Sequence, residues 1–282
     1  MKDTLLIGGH FPISRGLNHA VSLTLDAGGN TLQLFTKSPG QWKARNISKE
    51  EAESFKALVR DNNINPVIVH DSYLINLATS NESLREKSLR AFVEEIQRAG
   101  FIGAGYLVTH MGAHTGAGED AGLDNLCRSV SRAIEMTGDS SVVILLETTA
   151  GQGTSLGYSF SQIARVIDEC GGGPRIGVCL DTCHVYAAGY DISTHEGYKK
   201  TFEEFDSVIG LDRLAVVHLN DARKGLGSRV DRHAHIGRGM LGLDTFRRLL
   251  RDPRLRGTAF ILETPEPEKM HKHNMEILRS LI

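Results

Sequence analysis

The sequence has no apolar run of the roughly 18 residues that a membrane-spanning helix needs, and no early apolar stretch of the kind a signal peptide carries. Both absences lead us to expect a soluble, cytoplasmic chain. Cysteine is scarce: Cys127, Cys170, Cys179 and Cys183 are too few and too scattered to staple 282 residues, which excludes a disulfide framework and suggests a reducing compartment. An excess of either charge is also missing. With a formal net charge of −2 and a pI near 6.6, the chain has no general attraction for polyanions. A surface for one must be a local patch or be built from bound metal ions. Repeats, low-complexity tracts and Pro/Ser-rich linkers are absent, so residues 1–282 are expected to form one domain. What is present, 40% hydrophobic and 23% charged residues, is ordinary for a globular protein with a large core.

Short apolar runs alternate with longer helical patterns. The runs are Leu5–Gly9, Thr31–Phe35, Pro66–Val69, Gly105–Thr109, Val142–Leu146, Arg175–Leu180, Leu214–Val217 and Ala259–Leu262. Between them lie amphipathic stretches: Glu50–Asn62, Glu82–Ala99, Asn125–Met136, Phe160–Cys170, Glu196–Val208 and Asp244–Arg251. Gly100, Gly138 and Gly171–Gly173 fall where helices should stop. Strands alternating with helices in this number predict an α/β fold, a single (β/α)8 TIM barrel with its active site at the C-terminal mouth.

The residue following each apolar run is His10, Thr36, His70, His110, Glu147, Asp181, His218 or Glu263. In a parallel barrel all of these gather at the C-terminal mouth, and all but Thr36 could bind a metal. The stretch Gly177–His184, G-V-C-L-D-T-C-H, shows the pattern most sharply: a buried run ends in Asp181, with His184 three residues on. Read alone, it fits a helix-capping Asp and a surface His as well as two ligands. Cys179 and Cys183 read as thiolate ligands or as small packing residues. The loop V-H-L-N-D-A-R-K-G-L-G-S-R-V-D-R-H from Val217 adds Asp231 and His233, spaced so that both reach one ion from an extended segment. His70, His110, Glu147, Asp181, His184, His218, Asp231, His233 and Glu263 exceed what one or two ions require, and the inventory fits a cluster of three. Imidazole ligands favour zinc over magnesium and leave manganese open.

These residues carry a resemblance that spans the chain. H-D-S-Y-L-I-N-L-A from His70, G-V-C-L-D-T-C-H from Gly177 and the segment from His218 to His233 resemble the motifs of endonuclease IV-type apurinic/apyrimidinic (AP) endonucleases. E-T-T-A-G-Q-G from Glu147 and F-T-K-S-P-G-Q-W from Phe35 follow in the expected order. The resemblance implies a TIM barrel that holds three zinc ions, with manganese possible at one site. It implies hydrolysis of the phosphodiester 5′ to abasic sites in double-stranded DNA, leaving a 3′-OH and a 5′-deoxyribose phosphate, and removal of 3′-blocking groups. By position, His70, His110 and Glu147 would hold one ion. Glu147 would bridge to a second, also held by Asp181, His218 and Glu263. His184, Asp231 and His233 would hold the third. Glu147 would be catalytic, orienting the attacking water. The enzyme would act as a monomer in base excision repair, associated with the nucleoid while working.

For DNA contacts the resemblance points to Tyr73 and Leu74, where the family enters the minor groove; an aromatic packed beneath the mouth is the other reading of Tyr73. Arg223, Lys224, Arg229, Arg232 and Arg238 form a basic rim suited to phosphates, although a solvated loop shows similar charge. Four positions depart from the family pattern. Gly40 stands where an Arg commonly precedes Q-W, Thr148 where Asn follows the glutamate, Met111 where Pro is common, and Arg223 where Lys is. Two rivals remain: a sugar isomerase or epimerase on the same barrel, which needs fewer ligands, and a non-catalytic binder of damaged DNA, which would be expected to have lost some.

Overall fold

The computed structural model describes residues 5–282. Eight parallel strands close into a barrel, in the spatial order β1-β10-β7-β6-β5-β4-β3-β2. They are β1 (Leu6–His10), β2 (Thr31–Phe35), β3 (Val67–His70), β4 (Tyr106–His110), β5 (Val143–Glu147), β6 (Ile176–Asp181), β7 (Leu214–His218) and β10 (Ala259–Leu262). A small antiparallel pair, β8 (Asp221–Ala222) and β9 (His233–Ala234), lies between β7 and the last barrel strand. Helices α1 (Leu17–Asp26), α2 (Lys49–Asp61), α3 (Glu82–Phe101), α4 (Glu119–Met136), α5 (Phe160–Glu169), α6 (Thr182–Ala188), α7 (His195–Val208), α8 (Leu243–Arg251) and α9 (Pro267–Arg279) fill the connections. The expected barrel is therefore found, strand for strand.

Two apolar regions follow from the period of two along each strand. Alternate residues such as Val69, Leu107, Leu146, Val178 and Val217 pack outward against the helices. The intervening ones, Ile68, Val108, Leu145, Cys179, Val216 and Ile261, pack inside the barrel. The next inward position after each of these six is a candidate ligand: His70, His110, Glu147, Asp181, His218 and Glu263. Strand alternation thus aims all six side chains into the mouth.

Most strands run one residue further than the apolar pattern suggests, because the polar residue at the end still pairs. His110 sits opposite Glu147, and Asp181 opposite His218, in the parallel register. Gly100 does not end a helix. Helix α3 continues through it to Phe101, and the chain turns at Gly103 with φ of +80°. Helix α4 also starts earlier than Asn125, at Glu119, with two acidic residues in its first turn facing the positive end of the helix dipole. Helices α1, α6 and α9 were not evident in the sequence. Closure between β1 and β2 requires a glycine: a Cβ on Gly8 would lie 1.8 Å from the Thr31 carbonyl oxygen.

Candidate metal centre at the barrel mouth

In four of the five candidate histidines, His70, His184, His218 and His233, the nitrogen left for a ligand is set by what the other nitrogen touches. His70 Nδ1 lies 3.0 Å from the Asp71 carbonyl oxygen, and His184 Nδ1 lies 2.8 Å from that of Thr148. His233 Nδ1 lies 3.2 Å from the Glu263 carbonyl oxygen. A carbonyl only accepts, so all three Nδ1 atoms keep a proton and Nε2 is in each case the nitrogen turned to the mouth and able to yield its proton to a cation. His218 is turned the other way, with Nδ1 inward.

The nine candidate ligands converge in three groups, each with donor atoms within 4.8 Å of one another: His70, His110 and Glu147; Glu147, Asp181, His218 and Glu263; and His184, Asp231 and His233. Glu147, fully buried, belongs to two of them. Its Oε2 is 3.1 Å from both His70 Nε2 and His110 Nε2, and its Oε1 is 3.0 Å from His218 Nδ1. One carboxylate therefore faces both groups, an oxygen to each. In the third group Asp231 Oδ1 is 3.2 Å from His184 Nε2 and 3.2 Å from His233 Nε2. Yet neither of these buried nitrogens makes an aligned hydrogen bond. Buried polar atoms without an aligned partner are costly, and two imidazole nitrogens converging on one carboxylate oxygen are what a cation satisfies. The residues fit metal ions.

Asp181 combines both readings of its octapeptide. Its Oδ1 accepts the His184 backbone N–H at 2.9 Å, capping α6, while its Oδ2 faces His233 Nε2 at 3.6 Å. His184 is buried rather than on the surface. Cys183 Sγ comes within the same 4.8 Å of donor atoms of Asp181 and His233, yet Cys179 and Cys183 both sit as packed thiols. Burial and the Asp181 carboxylate push the Cys183 thiol up to about 12, and its sulfur leans on the Arg232 carbonyl oxygen at 3.6 Å. Cys179 packs inside the barrel, where burial also drives its pKa up.

Charge in the centre is held by mutual pairing. Burial opposes ionisation of Glu147, but the His110 and His218 charges overcome it and hold the carboxyl well below its ordinary range. Burial likewise disfavours imidazolium at His70 and His233. Glu147 reverses that at His70, raising it to about 10, and Asp181 with Asp231 raises His233 to about 9. Without metal these histidines hold protons at neutral pH, and an arriving cation must displace them. Metal uptake should therefore release protons and weaken as pH falls below about 10, where His70 begins to hold its proton, and further below about 9. Titrating metal-free protein with zinc in weakly buffered solution at pH 7 checks this, and uptake without acidification would contradict it.

Several supporting residues were not picked out from the sequence. Gln33 bridges Glu263 and His218 from inside the barrel. Asn220 donates to Asp181 Oδ2 at 2.7 Å and accepts from the Glu263 backbone N–H at 3.0 Å. Thr148, at the position where Asn is usual, accepts the Asp181 N–H with its hydroxyl at 2.9 Å. The buried carboxylate of Asp221 accepts backbone N–H groups from Ala222, Gly237, Gly239 and Leu241, which fixes the segment that carries His233.

Tyr73 is 63% exposed and is not packed beneath the mouth. Its ring lies over His110, centroids 6.0 Å apart and planes 27° from parallel. It stands between two clefts. One, about 680 Å³, contains His10, Phe35, Lys43, Arg45 and Glu263; the other, about 360 Å³, contains His110, His184, Asp231 and Arg232. Leu74 is only partly exposed beside it, its N–H bonded to the Ser72 hydroxyl at 3.3 Å. Arg223, Lys224, Arg229, Arg232 and Arg238 are exposed. Three are also engaged locally: Arg223 Nε donates to the His233 carbonyl at 3.0 Å, Arg232 Nη1 donates to the Asp231 carbonyl at 2.7 Å, and the Arg229 guanidinium lies over the Tyr158 ring at 4.2 Å. Gly40 occupies a Ser38–Gln41 turn outside the left-handed region, with open space where a Cβ would project.

A family profile described as xylose isomerase-like TIM barrel matches residues 21–281. A Chloroflexus aurantiacus protein named probable endonuclease 4 is 48% identical over 277 residues, covering 98% of this chain and 97% of its own length. The crystal structure of endonuclease IV from Thermus thermophilus superposes with a TM-score of 0.87 at 35% identity, covering 98% of both chains. D-psicose 3-epimerase from Clostridium cellulolyticum, with D-tagatose, superposes at a TM-score of 0.74 over 98% of this chain and 99% of its own. Its identity is 13%, so it shares the barrel alone.

Proposed function

The chain belongs to the endonuclease IV family, and on that premise we propose that it is a zinc-dependent DNA repair endonuclease that hydrolyses the phosphodiester 5′ to abasic sites, leaving a 3′-OH and a 5′-deoxyribose phosphate. The observation that carries this reading is the convergence of three ligand groups on one mouth, two of them sharing Glu147. A sugar epimerase would have no use for the separate His184–Asp231–His233 group. Removal of 3′-blocking groups uses the same bond cleavage and belongs to the same proposal.

The nine ligands fit three ions, with zinc favoured by five imidazoles among them and manganese compatible with the carboxylate-rich group of Glu147, Asp181, His218 and Glu263. When bound, such ions lower the pKa of water to roughly 7 and neutralise charge on the phosphate. Glu147, held ionised and aimed at two ligand groups, accepts a hydrogen bond from the attacking water and orients it. His184, Asp231 and His233 would hold an ion whose charge would help stabilise the departing 3′ oxygen. Arg223, Lys224, Arg229 and Arg232 hold phosphates along the rim. None of the described helices is long and apolar enough to cross a membrane. The location that belongs to this proposal is the cytoplasm, on nucleoid DNA.

The test is a duplex bearing one abasic site. We expect incision 5′ to it, a product end that a polymerase extends, and loss of cutting after chelation. Unextendable ends, or cutting that survives metal removal, would refute the reading.

Tyr73 and Leu74 enter the gap beside an extruded abasic nucleotide, with Tyr73 carrying more of that role where Gly40 offers no side chain. Stacking of one base on an aromatic ring is worth about 1–3 kcal/mol. Tyr73→Ala is therefore expected to weaken binding to abasic duplex about 10-fold, with little change for intact duplex. Equal losses for both would reduce Tyr73 to packing. Gly40→Arg, which the open turn accepts, should tighten abasic binding, measured by the same titration.

A further inference from the structure

We propose that Gln33 is a positioning residue that fixes which nitrogen of His218, and which oxygen of Glu263, faces the metal. The proposal rests on the metal-centre reading above.

Gln33 is fully buried in the middle of β2, at an inward position beside His10 in the strand register. Its Nε2 lies 2.6 Å from Glu263 Oε1. A carboxylate oxygen only accepts, so the amide NH2 must point at Glu263. That leaves Gln33 Oε1 against His218 Nε2, at 2.9 Å. An amide oxygen also only accepts, so His218 Nε2 must carry the proton. Nδ1 is then the nitrogen that gives up its proton to an ion; it is 3.0 Å from Glu147 Oε1 and 3.2 Å from Glu263 Oε2, the oxygens that would share that ion. The same amide selects the ligand oxygen of Glu263. Oε1 is taken by Gln33 and by His10 Nδ1 at 3.0 Å, and Oε2 is left for an ion.

This arrangement differs from that of the other histidines. His70, His184 and His233 are each oriented by a backbone carbonyl, which no substitution removes, and present Nε2. His218 presents Nδ1 and depends on a replaceable side chain. Outer partners of metal-bound imidazoles and carboxylates are typically worth about 10–100-fold in metal affinity. Removing Gln33 should therefore loosen one ion selectively, the one held by Asp181, His218 and Glu263.

The experiment measures zinc release from the loaded full-length protein into a chromogenic chelator, which resolves the ions as kinetic phases. Gln33→Met keeps length and loses every hydrogen bond of the amide, the 2.9 Å contact with His10 Nδ1 included. Gln33→Glu keeps an acceptor for His218 and loses the donor to Glu263, giving a second variant should methionine in the barrel prevent folding. We expect one phase to accelerate about 10–100-fold in Gln33→Met, and the same phase to accelerate in Gln33→Glu, with the other phases unchanged. Phases identical to wild type, or all accelerated together as a general loosening would give, overturn the role of Gln33 while leaving the centre intact. A wild-type protein that releases fewer than two ions overturns the metal centre itself, and this proposal with it.

Discussion

Replacing Glu147 with glutamine is expected to lower incision of abasic duplex by at least about 10³-fold while the barrel stays folded. Glutamine has the same shape but a single oxygen. The wild-type carboxylate places one oxygen against His70 and His110 and the other against His218. An amide can serve only one of those groups and turns an N–H toward the other. Bridging and water orientation would be lost together. The side chain is buried with its partners, so a well-folded variant is checked by circular dichroism before its turnover is read. Turnover within about 10-fold of wild type would refute the role, since removing one positioned catalytic group ordinarily costs about 10²-fold or more.

The second large effect is expected at Asp231, the only carboxylate in its ligand group. His184 and His233 both direct Nε2 at its Oδ1. Asp231→Asn would leave two neutral imidazoles with no anionic ligand. Outer partners alone are worth about 10–100-fold in metal affinity, and losing a ligand costs more. The variant should lose one ion and at least about 100-fold in incision, while the ions nearer Glu147 remain. Elemental analysis together with incision assays checks both parts. Full metal content with normal cutting would show that the third group is ornamental.

Much of this centre was legible because a barrel strand has period two. An interior apolar residue followed two positions later by His, Asp or Glu occurs at Ile68–His70, Val108–His110, Leu145–Glu147, Cys179–Asp181, Val216–His218 and Ile261–Glu263. That spacing is visible in the sequence, and closure of the barrel does the rest. Asp231 and His233 were legible only as a D-x-H pair; the β8–β9 hairpin and the Asp221 carboxylate that seat them depend on long-range contacts. Gln33 was missed although T-L-Q-L-F carries the signal, a polar residue at an inward position of an apolar run. Its partners Glu263 and His218 lie far along the chain, and nothing local identifies them. Helix α6 was missed for another reason. It starts directly at Asp181, without a loop, so the strand pattern runs into it unbroken. Helix α1 has no side-chain cap, no acidic residue in its first turn and no basic residue in its last to mark it.

The conformation at Gly40 is also beyond sequence. A glycine after Pro39 is compatible with a left-handed turn, yet the backbone there stays outside that region. The position is open to a side chain, and its being glycine is not imposed by the turn.

The central claim is that nine side chains, six at barrel-strand ends, one on α6 and two on the β8–β9 hairpin, form one centre for three ions. Elemental analysis of the purified, unchelated protein tests it most directly. Three ions per chain, mainly zinc, is the result this account predicts; a single ion per chain would contradict it and favour the one-metal chemistry of a sugar isomerase on the same barrel.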